Sequence, residues 1–193
     1  MINLIKQDMK AAHQLLADFS KNEANLAIIK QISENLAACY ANGNKVLICG
    51  NGGSATDSMH FAEEFTGRFR KDRRALPAIS LTDSSHLTCT ANDYGFEYVF
   101  SRGVDAFGKA GDMVIGLSTS GNSENVIEAL RTGKEKDLIT VALLGKDGGK
   151  LKGFCDFELI IPGKTSDRIQ EIHMLVLHII IEMVERKLFP ENY

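Results

Sequence analysis

The sequence predicts an α/β protein with a five-stranded parallel sheet, helices on both faces of that sheet, and an N-terminal pair of helices. Five short apolar runs support this prediction, and they read KVLICG, LPAISL, DMVIGLST, LITVALLG and FELIIP. Strands that are buried on both faces have continuous apolar sequences of this kind. The segments between the runs, such as residues 123–136, have the apolar spacing of helices. Strands that alternate with helices in this way form parallel sheets.

Two amphipathic helices precede the first strand. Each has one apolar face, at Ile5, Met9, Ala12, Leu15, Leu16 and Phe19 in the first and at Leu26, Ile29, Ile32 and Leu36 in the second. The turn sequence ANGN then changes the period from helical to strand-like. A chain of 193 residues fits one domain, in which residues 1–41 form a helical extension and residues 42–193 form the α/β core.

Composition limits the classes of partner and the compartment. The net charge of -3 gives no general attraction to nucleic acid or to an anionic membrane, so we expect neither as a partner. The four cysteines form no CxxC pair, which favours reduced thiols in the cytoplasm over disulfides or a cysteine zinc site. The most apolar late segment, residues 172–184, contains two histidines and a glutamate and is too short to span a bilayer.

The first predicted strand runs into a glycine-rich turn, GNGGS, and then into a helix. Glycine lets the backbone approach a ligand closely and adopt positive φ angles, and the start of a helix offers free N–H groups. The spacing matches neither GxGxxG nor GxxxxGK[ST]. The turn is therefore either a ligand-binding loop or an ordinary strand-to-helix connection.

The third predicted strand leads into STSGNSENV, which contains four hydroxyl side chains before the next helix, those of Ser118, Thr119, Ser120 and Ser123. Ser123 and, further along, Ser166 are the expected N-caps of the helices that follow. A cap needs only one hydroxyl, so four of them favour a phosphate-binding loop in which hydroxyls and helix amides surround the anion. The alternative is a well-capped helix start without a ligand.

His60 and Glu64 lie one turn apart in the helix that follows the glycine turn, so an imidazole and a carboxylate share one face. Taken alone, such a pair is more typical of a surface ion pair. The last helix carries further polar residues on an apolar background, namely Gln170, His173 and His178. Gln170 and His178 are about 80° apart around the helix, and His173 is about 140° from His178. Either histidine could be functional, and the other would be a core residue with one hydrogen bond.

Together these motifs resemble the phosphoheptose isomerase family of the sugar-isomerase (SIS) domain superfamily. The resemblance rests on CGNGGSATDSMHFAEEFTGR, SLTDSSHLTCTANDYGFEYVFSR, STSGNSENVIEAL, LLGKDGG and SDRIQEIHMLVLHIIIEMVE. It implies a flavodoxin-like SIS fold, a cytoplasmic homotetramer and a zinc ion (Zn²⁺) in each subunit. It also implies the interconversion of D-sedoheptulose 7-phosphate and D-glycero-D-manno-heptose 7-phosphate, the first step in making the heptose of lipopolysaccharide.

The resemblance further implies a set of site residues. The zinc ligands would be His60, Glu64, Gln170 and His178, which favours His178 over His173. The substrate contacts would be Asn51, Gly52, Gly53, Glu64, Asn92, Asp93, Ser118, Thr119, Ser120, Ser123 and Gln170. Arg68, four residues after Glu64, either assists with the phosphate or is a solvated charge at the end of its helix.

Isomerisation between an aldose and a ketose requires that a proton next to the carbonyl is removed and returned to the neighbouring carbon through an enediol. A positioned base and acid each contribute about 100- to 10,000-fold, and Glu64 and His178 are the expected catalytic pair. A carboxylate that binds zinc is a weaker base. Zinc therefore either stabilises the enediolate as a Lewis acid or organises the site while Glu64 leaves the metal.

Two other functions stay open on the sequence. A non-catalytic SIS protein, like the bacterial factor that associates with the replication initiator DnaA, would keep the fold without needing an acid–base pair. The presence of Glu64, Gln170 and His178 favours the enzyme. An isomerase of a pentose or hexose phosphate would need the same residues, because nothing in the composition sets the length of the sugar.

Overall fold

The computed structural model describes all residues, 1–193, in seven α-helices and five β-strands. The elements are α1 (Ile2–Ser20), α2 (Glu23–Ala41), β1 (Val46–Gly50), α3 (Gly53–Thr66), β2 (Ala78–Ser80), α4 (Ser84–Asp93), α5 (Ser101–Phe107), β3 (Met113–Ser118), α6 (Glu124–Glu135), β4 (Ile139–Gly145), β5 (Phe157–Ile161) and α7 (Ser166–Leu188). Short 3₁₀ turns lie at Phe96–Tyr98, Gly149–Leu151 and Pro190–Asn192. All five predicted strands and both N-terminal helices are present.

The strands form one parallel sheet in the order β2-β1-β3-β4-β5, which confirms the predicted fold class. The order reverses at β1, because the chain adds β2 on one side of it and β3 on the other. Gly50 at the end of β1 is in register with Leu117 of β3, so the loops that follow these two strands begin side by side. Ligands of such sheets bind at this switch point, beyond the carboxyl ends of the strands.

Both faces of the sheet are covered by helices. Along β1, Val46 and Ile48 belong to a core cluster shared with α2, α3 and α7, whereas Leu47 and Cys49 belong to a second cluster with α5 and α6. Side chains alternate between the two faces of a strand, and since both faces are buried, the strand sequence is apolar throughout. Helices α3 and α7 pack against each other on the same face. This packing brings the first predicted site helix next to the last.

The two N-terminal helices differ in how much of their apolar face is covered. Helix α2 packs against α7 and contributes buried side chains such as Ile32 and Leu36 to the core. In α1 only Phe19 is buried, while Ile5 and Met9 are 50% and 68% exposed. A single chain therefore leaves an apolar stripe of α1 in contact with solvent.

Of the two predicted helix caps, Ser123 is at the predicted position and Ser166 is not. Ser123 occupies the N-cap of α6, but its side chain makes no capping bond, because its hydroxyl pairs with that of Ser118. Helix α7 begins at Ser166, and Thr165 is its N-cap, so the prediction for Ser166 is wrong by one residue. The Ser166 hydroxyl is hydrogen-bonded to Thr119. Both serine hydroxyls thus pair with hydroxyls at the end of β3, those of Ser118 and Thr119, instead of capping their own helices.

Two further predictions concern the state of the cysteines and the absence of a membrane-spanning segment. All four cysteines are free: Cys39 and Cys49 are buried core thiols as expected, whereas Cys155 is partly buried and Cys89 is exposed. Burial raises the pKa of Cys49 to about 12, so its thiol keeps its proton at neutral pH. None of the helices combines the length and the apolar character that crossing a bilayer requires.

Candidate active site

The glycine turn after β1 brings the backbone close to two side chains. Gly52 has φ +56° and ψ −121° and is exposed to solvent; its positive φ favours glycine. A Cβ atom on Gly53 would lie 2.7 Å from the amide group of Gln170. A Cβ atom on Gly50 would lie 2.7 Å from the Cβ of Ser54. The turn therefore needs glycine for its backbone angle at one position and for close packing at two.

His60, Glu64 and His178 converge between α3 and α7. One ligand-type atom from each of these side chains lies within 4.8 Å of the other two. The Nε2 atom of His60 is 3.2 Å from Oε1 of Glu64, and the rings of His60 and His178 meet edge to face at 5.0 Å between centroids. The helical spacing of residues 60 and 64 and the packing of the two helices together produce this arrangement. We refer to these three residues as the triad.

The surroundings of His178 favour its neutral form. Partial burial lowers the pKa of His178, the neighbouring His60 and Arg70 lower it further, and Glu64 acts in the opposite direction. The ring of Phe69 stacks on the His178 ring at 5.8 Å and 25°. A neutral imidazole can accept a proton at one nitrogen and donate one from the other.

His173, the other histidine of α7, takes no part in the triad. It is completely buried, and its Nε2 atom is 3.1 Å from the carbonyl oxygen of Leu144. Burial lowers the pKa of His173 to about 4. The structure therefore makes His173 a core residue with one hydrogen bond and His178 the histidine that meets Glu64.

Gln170 lies on α7 beside the glycine turn. Its Nε2 atom donates a hydrogen bond of 3.4 Å to the hydroxyl of Ser54, and its amide fills the space next to Gly53. Helix α7 thus contacts the loop after β3 through Ser166 and, one turn later, the glycine turn through Gln170; two turns after that it contributes His178 to the triad. One helix connects all three parts of the predicted site.

The loop after β3 holds its hydroxyls in a connected arrangement. The hydroxyls of Ser118 and Ser123 are 3.0 Å apart, and those of Thr119 and Ser166 are 3.1 Å apart. The Ser120 hydroxyl accepts a bond from the backbone N–H of Asn122. The loop sits directly before the first turn of α6. There the backbone N–H groups of Glu124 and Asn125 have no partner within the helix, whereas those of Val126 and Ile127 bond the Ser123 carbonyl. Hydroxyls and helix amides are thus combined as a phosphate site requires.

The remaining predicted residues fall into two groups. Asn51 exchanges two side-chain hydrogen bonds of 2.9 Å with Asn125, which ties the loop after β1 to the first turn of α6. Asn92 and Asp93 are exposed at the end of α4 and hydrogen-bond each other. They make no hydrogen bond to the triad or to either loop. Arg68 is exposed and forms no ion pair.

Several residues near the site were not predicted. A cavity of about 540 Å³ opens beside Asn51 and Ser123 and is also lined by Phe96, Glu97 and Tyr98 of a 3₁₀ turn. These residues follow the predicted Asn92 and Asp93, but a short irregular turn has no periodic pattern that would place it there. Phe69 was missed for the same reason, because its role depends on where the segment after α3 packs.

The chain is similar in sequence to known sugar-isomerase proteins. Residues 9–145 match the family model described as SIS domain. The chain is 64% identical over 192 residues to the phosphoheptose isomerase of Fusobacterium nucleatum, an alignment that covers 100% of this chain and 98% of that one.

Two solved structures extend the comparison. The phosphoheptose isomerase of Neisseria gonorrhoeae superposes with a TM-score of 0.89 at 40% identity and covers 95% of this chain and 97% of its own. That of Francisella tularensis gives a TM-score of 0.91 at 32% identity and covers 96% of this chain and 98% of its own. Sequence and fold thus agree along the whole chain, and the protein belongs to the phosphoheptose isomerase family of SIS-domain proteins.

Proposed function

We propose that this protein interconverts D-sedoheptulose 7-phosphate and D-glycero-D-manno-heptose 7-phosphate, the first step in making the heptose of lipopolysaccharide. The observation that supports this proposal most directly is the convergence of Glu64 and His178 from two helices. It occurs in a chain that is 64% identical to a phosphoheptose isomerase. The identity of the sugar comes from the relatives, whereas the type of reaction also follows from the residues.

Glu64 is the proposed base. Its side chain is 15% exposed, which leaves room for substrate but keeps bulk water away. The carboxylate removes the proton from the carbon next to the carbonyl and returns it to the neighbouring carbon. His178 is the proposed acid: its neutral imidazole moves a proton between the two oxygens as the enediol forms and collapses.

The loop at residues 118–123 is the proposed phosphate site. Its hydroxyls and the free N–H groups of α6 can donate hydrogen bonds to phosphate oxygens without a lysine. Along α7, Gln170 lies between this loop and the triad, next to the glycine turn that contains Asn51, Gly52 and Gly53. We propose that these four residues contact the sugar, and that Asn92 and Asp93 add further contacts.

The donor set of the triad fits zinc. Two imidazole nitrogens and a carboxylate oxygen within 4.8 Å of one another are the ligand types of a catalytic zinc site, and we propose that Gln170 completes the set in each subunit. Bound zinc would supply a Lewis acid that stabilises negative charge on the enediolate oxygens. The chain itself contributes the orientation of His60, Glu64 and His178 and the proton transfers.

We also propose a cytoplasmic homotetramer. The exposed apolar stripe of α1 gives a reason for association, because solvent contact of such side chains is unfavourable. The four free cysteines are typical of a reducing compartment.

A non-catalytic SIS protein is not favoured as an alternative, since it would not need the convergent triad. Isomerisation of a pentose or hexose phosphate needs the same triad. Assays of the wild-type protein with C5, C6 and C7 ketose phosphates decide between the sugars. Absence of turnover with all of them would favour the non-catalytic protein.

The acid–base assignment is tested with Glu64→Gln and His178→Gln. Each substitution should lower kcat by about 100- to 10,000-fold, the contribution of one positioned proton-transfer group, while KM changes little. The matched control is Glu63→Gln, because Glu63 is the adjacent carboxylate, is 65% exposed and lies farther from His60 at 3.8 Å. Near-normal turnover of Glu64→Gln would exclude Glu64 as the base.

The zinc proposal is tested by removing and restoring the metal. Treatment with a chelator should abolish turnover, and added zinc should restore it. Elemental analysis should find less zinc in His60→Ala than in the wild type, whatever the activity of that variant. A rate that chelation does not change would exclude a role for the metal in the reaction.

A further inference from the structure

The segment between α3 and β2 packs along one stripe of α7. Phe69 stacks on the ring of His178, and Arg70 forms an ion pair of 2.9 Å with Glu182, one turn further along the helix. Residues four apart on a helix lie on the same face. The segment that follows the helix of Glu64 therefore runs along the very face of α7 that presents His178.

The third contact of this segment is a fully buried ion pair. Nε of Arg73 donates a hydrogen bond of 2.7 Å to Glu185, and the two side chains are 0% and 1% exposed. Glu185 lies seven residues after His178, close to two full turns, so it continues the same stripe. Its other carboxylate oxygen accepts a bond of 2.7 Å from the Tyr193 hydroxyl. Glu185 is thereby held in one orientation.

The other end of the Arg73 guanidinium reaches the last turn of α3. Nη2 donates a hydrogen bond of 2.6 Å to the carbonyl oxygen of Glu64 itself. Nη1 donates to the carbonyl oxygens of Phe65 at 2.7 Å and Gly67 at 3.1 Å. The last carbonyl groups of a helix have no partner within the helix, and a cation there also complements the helix dipole. One side chain thus bonds the backbone of the proposed base and the helix of the proposed acid.

We propose that Arg73 is a positioning residue, which sets the separation of Glu64 and His178 by bonding the Glu64 carbonyl and Glu185 simultaneously. This inference rests on the proposed function. The planar guanidinium suits the task, because its donors point in fixed directions, whereas a lysine ammonium acts as a single point charge. Arg73 touches neither substrate nor metal in this role.

The geometry favours a role in positioning over one in stability alone. A buried ion pair stabilises a fold little, and replacing both partners by neutral groups is often tolerated. A neutral pair at these two positions would no longer link α3, which carries the proposed base, to α7, which carries the proposed acid. A displacement of about 1 Å at such a site costs about 100-fold in rate.

The test uses the double variant Arg73→Met/Glu185→Gln, which removes the link and leaves no unpaired buried charge. The expected result is a kcat lower by about 10- to 100-fold with KM within about threefold, measured well below Tm. Zinc affinity, measured by competition with a chelator, should fall by about tenfold or more, as it does when groups that orient metal ligands are lost. Arg73→Lys keeps the charge but lacks the several N–H donors that the guanidinium holds in fixed directions. It should therefore lower kcat and zinc affinity as well, but by smaller factors.

The control is a second ion pair, with one buried partner, at the opposite end of the sheet: Asp112 is buried and Lys45 is 21% exposed. Lys45 and Asp112 pair just before β1 and β3 begin, far from the carboxyl ends of the strands. Lys45→Met/Asp112→Asn should leave kcat and zinc affinity unchanged, whatever its effect on Tm.

The outcomes separate the two proposals. If the wild type turns over sugar phosphate and both Arg73 variants keep kcat and zinc affinity within about twofold, the positioning role is wrong. If the double variant does not fold, the Arg73→Lys result decides by the same criteria. If the wild type shows no turnover, the proposed function fails, and zinc affinity still reports whether Arg73 sets the geometry of the triad.

Discussion

Packing gives the two histidines of α7 different chemistry. His173 and His178 are five residues apart, which turns their side chains about 140° away from each other. His173 lies in the core and hydrogen-bonds the carbonyl of Leu144, whereas His178 faces Glu64 across the gap between α3 and α7. The sequence could not assign the roles of these two histidines. Helical periodicity gives the angle between their side chains, but it does not say which of the two the rest of the protein buries.

Burial of His173 makes stability depend on pH. Its pKa is about 4 in the folded protein and about 6.5 when unfolded. Between these values the unfolded state binds one more proton than the folded state, so the unfolding free energy decreases as pH falls. The contribution is fully present above about pH 6.5 and is lost towards pH 4.

We therefore expect the unfolding free energy to fall by about 2 kcal/mol more between pH 7 and pH 5 in the wild type than in His173→Leu. Urea unfolding at both pH values measures this difference. The control is His13→Leu, because His13 lies on the surface of α1 and is exposed. Equal pH dependence in wild type and His173→Leu would show that His173 is not buried in its neutral form.

At the scale of elements, the phosphate loop is supported by a second glycine loop. A Cβ atom on Gly121 would lie 1.9 Å from the carbonyl oxygen of Gly148, and one on Gly149 would lie 2.5 Å from that of Ser120. Backbone therefore packs on backbone between the loop after β3 and the loop after β4. This contact gives the GKDGG sequence a function that the sequence alone does not reveal, namely to hold the proposed phosphate site in shape.

Gly149→Ala should therefore act like Ser120→Ala. The first would push the Ser120 carbonyl aside, and the second would remove a hydroxyl from the loop. Since a remote phosphate anchor binds substrate and transition state alike, each should raise KM by about tenfold with a smaller change in kcat, measured by steady-state kinetics.

The control for Gly149→Ala is Gly153→Ala. Gly153 also has a positive φ, +77°, but a Cβ atom there would meet nothing within 4 Å. That variant carries the backbone strain without the contact, so its KM should not change. A loss confined to kcat in Gly149→Ala or Ser120→Ala would place the phosphate elsewhere.

The elements that the sequence predicts well are those whose signal is local. The five strands, the glycine turn and the hydroxyl loop each follow from neighbouring residues, and all are present in the structure. The cap at Ser166 was misplaced by one residue, since hydroxyls at adjacent positions give the same signal. The contacts of Phe69 and Arg73 with α7 could not be predicted, because they depend on how an irregular segment packs against a helix about 100 residues away.

For the whole molecule, the apolar stripe of α1 is the feature that a single chain does not account for. On a helical wheel, Ile5, Met9 and Leu16 lie within about 40° of one another, and all three are exposed. Phe19 and Leu15 point to a neighbouring direction and pack against the body of the chain. The outer stripe is therefore free to contact another copy, which is consistent with the proposed homotetramer.

Introducing charge into this stripe should separate the subunits. We expect the wild type to sediment at about four times the subunit mass of 21.2 kDa, and Ile5→Glu/Met9→Glu to sediment at a lower mass, since unpaired carboxylates are costly to bury. The control is Gln7→Glu, which places a carboxylate on the opposite side of α1 and should leave the mass unchanged.

Dissociation should also lower turnover, because Asn92 and Asp93 make no hydrogen bond to the triad or loops within one chain. A double variant that keeps the wild-type mass would show that α1 does not form the interface, and a dissociated variant with full kcat would show that each chain carries a complete site.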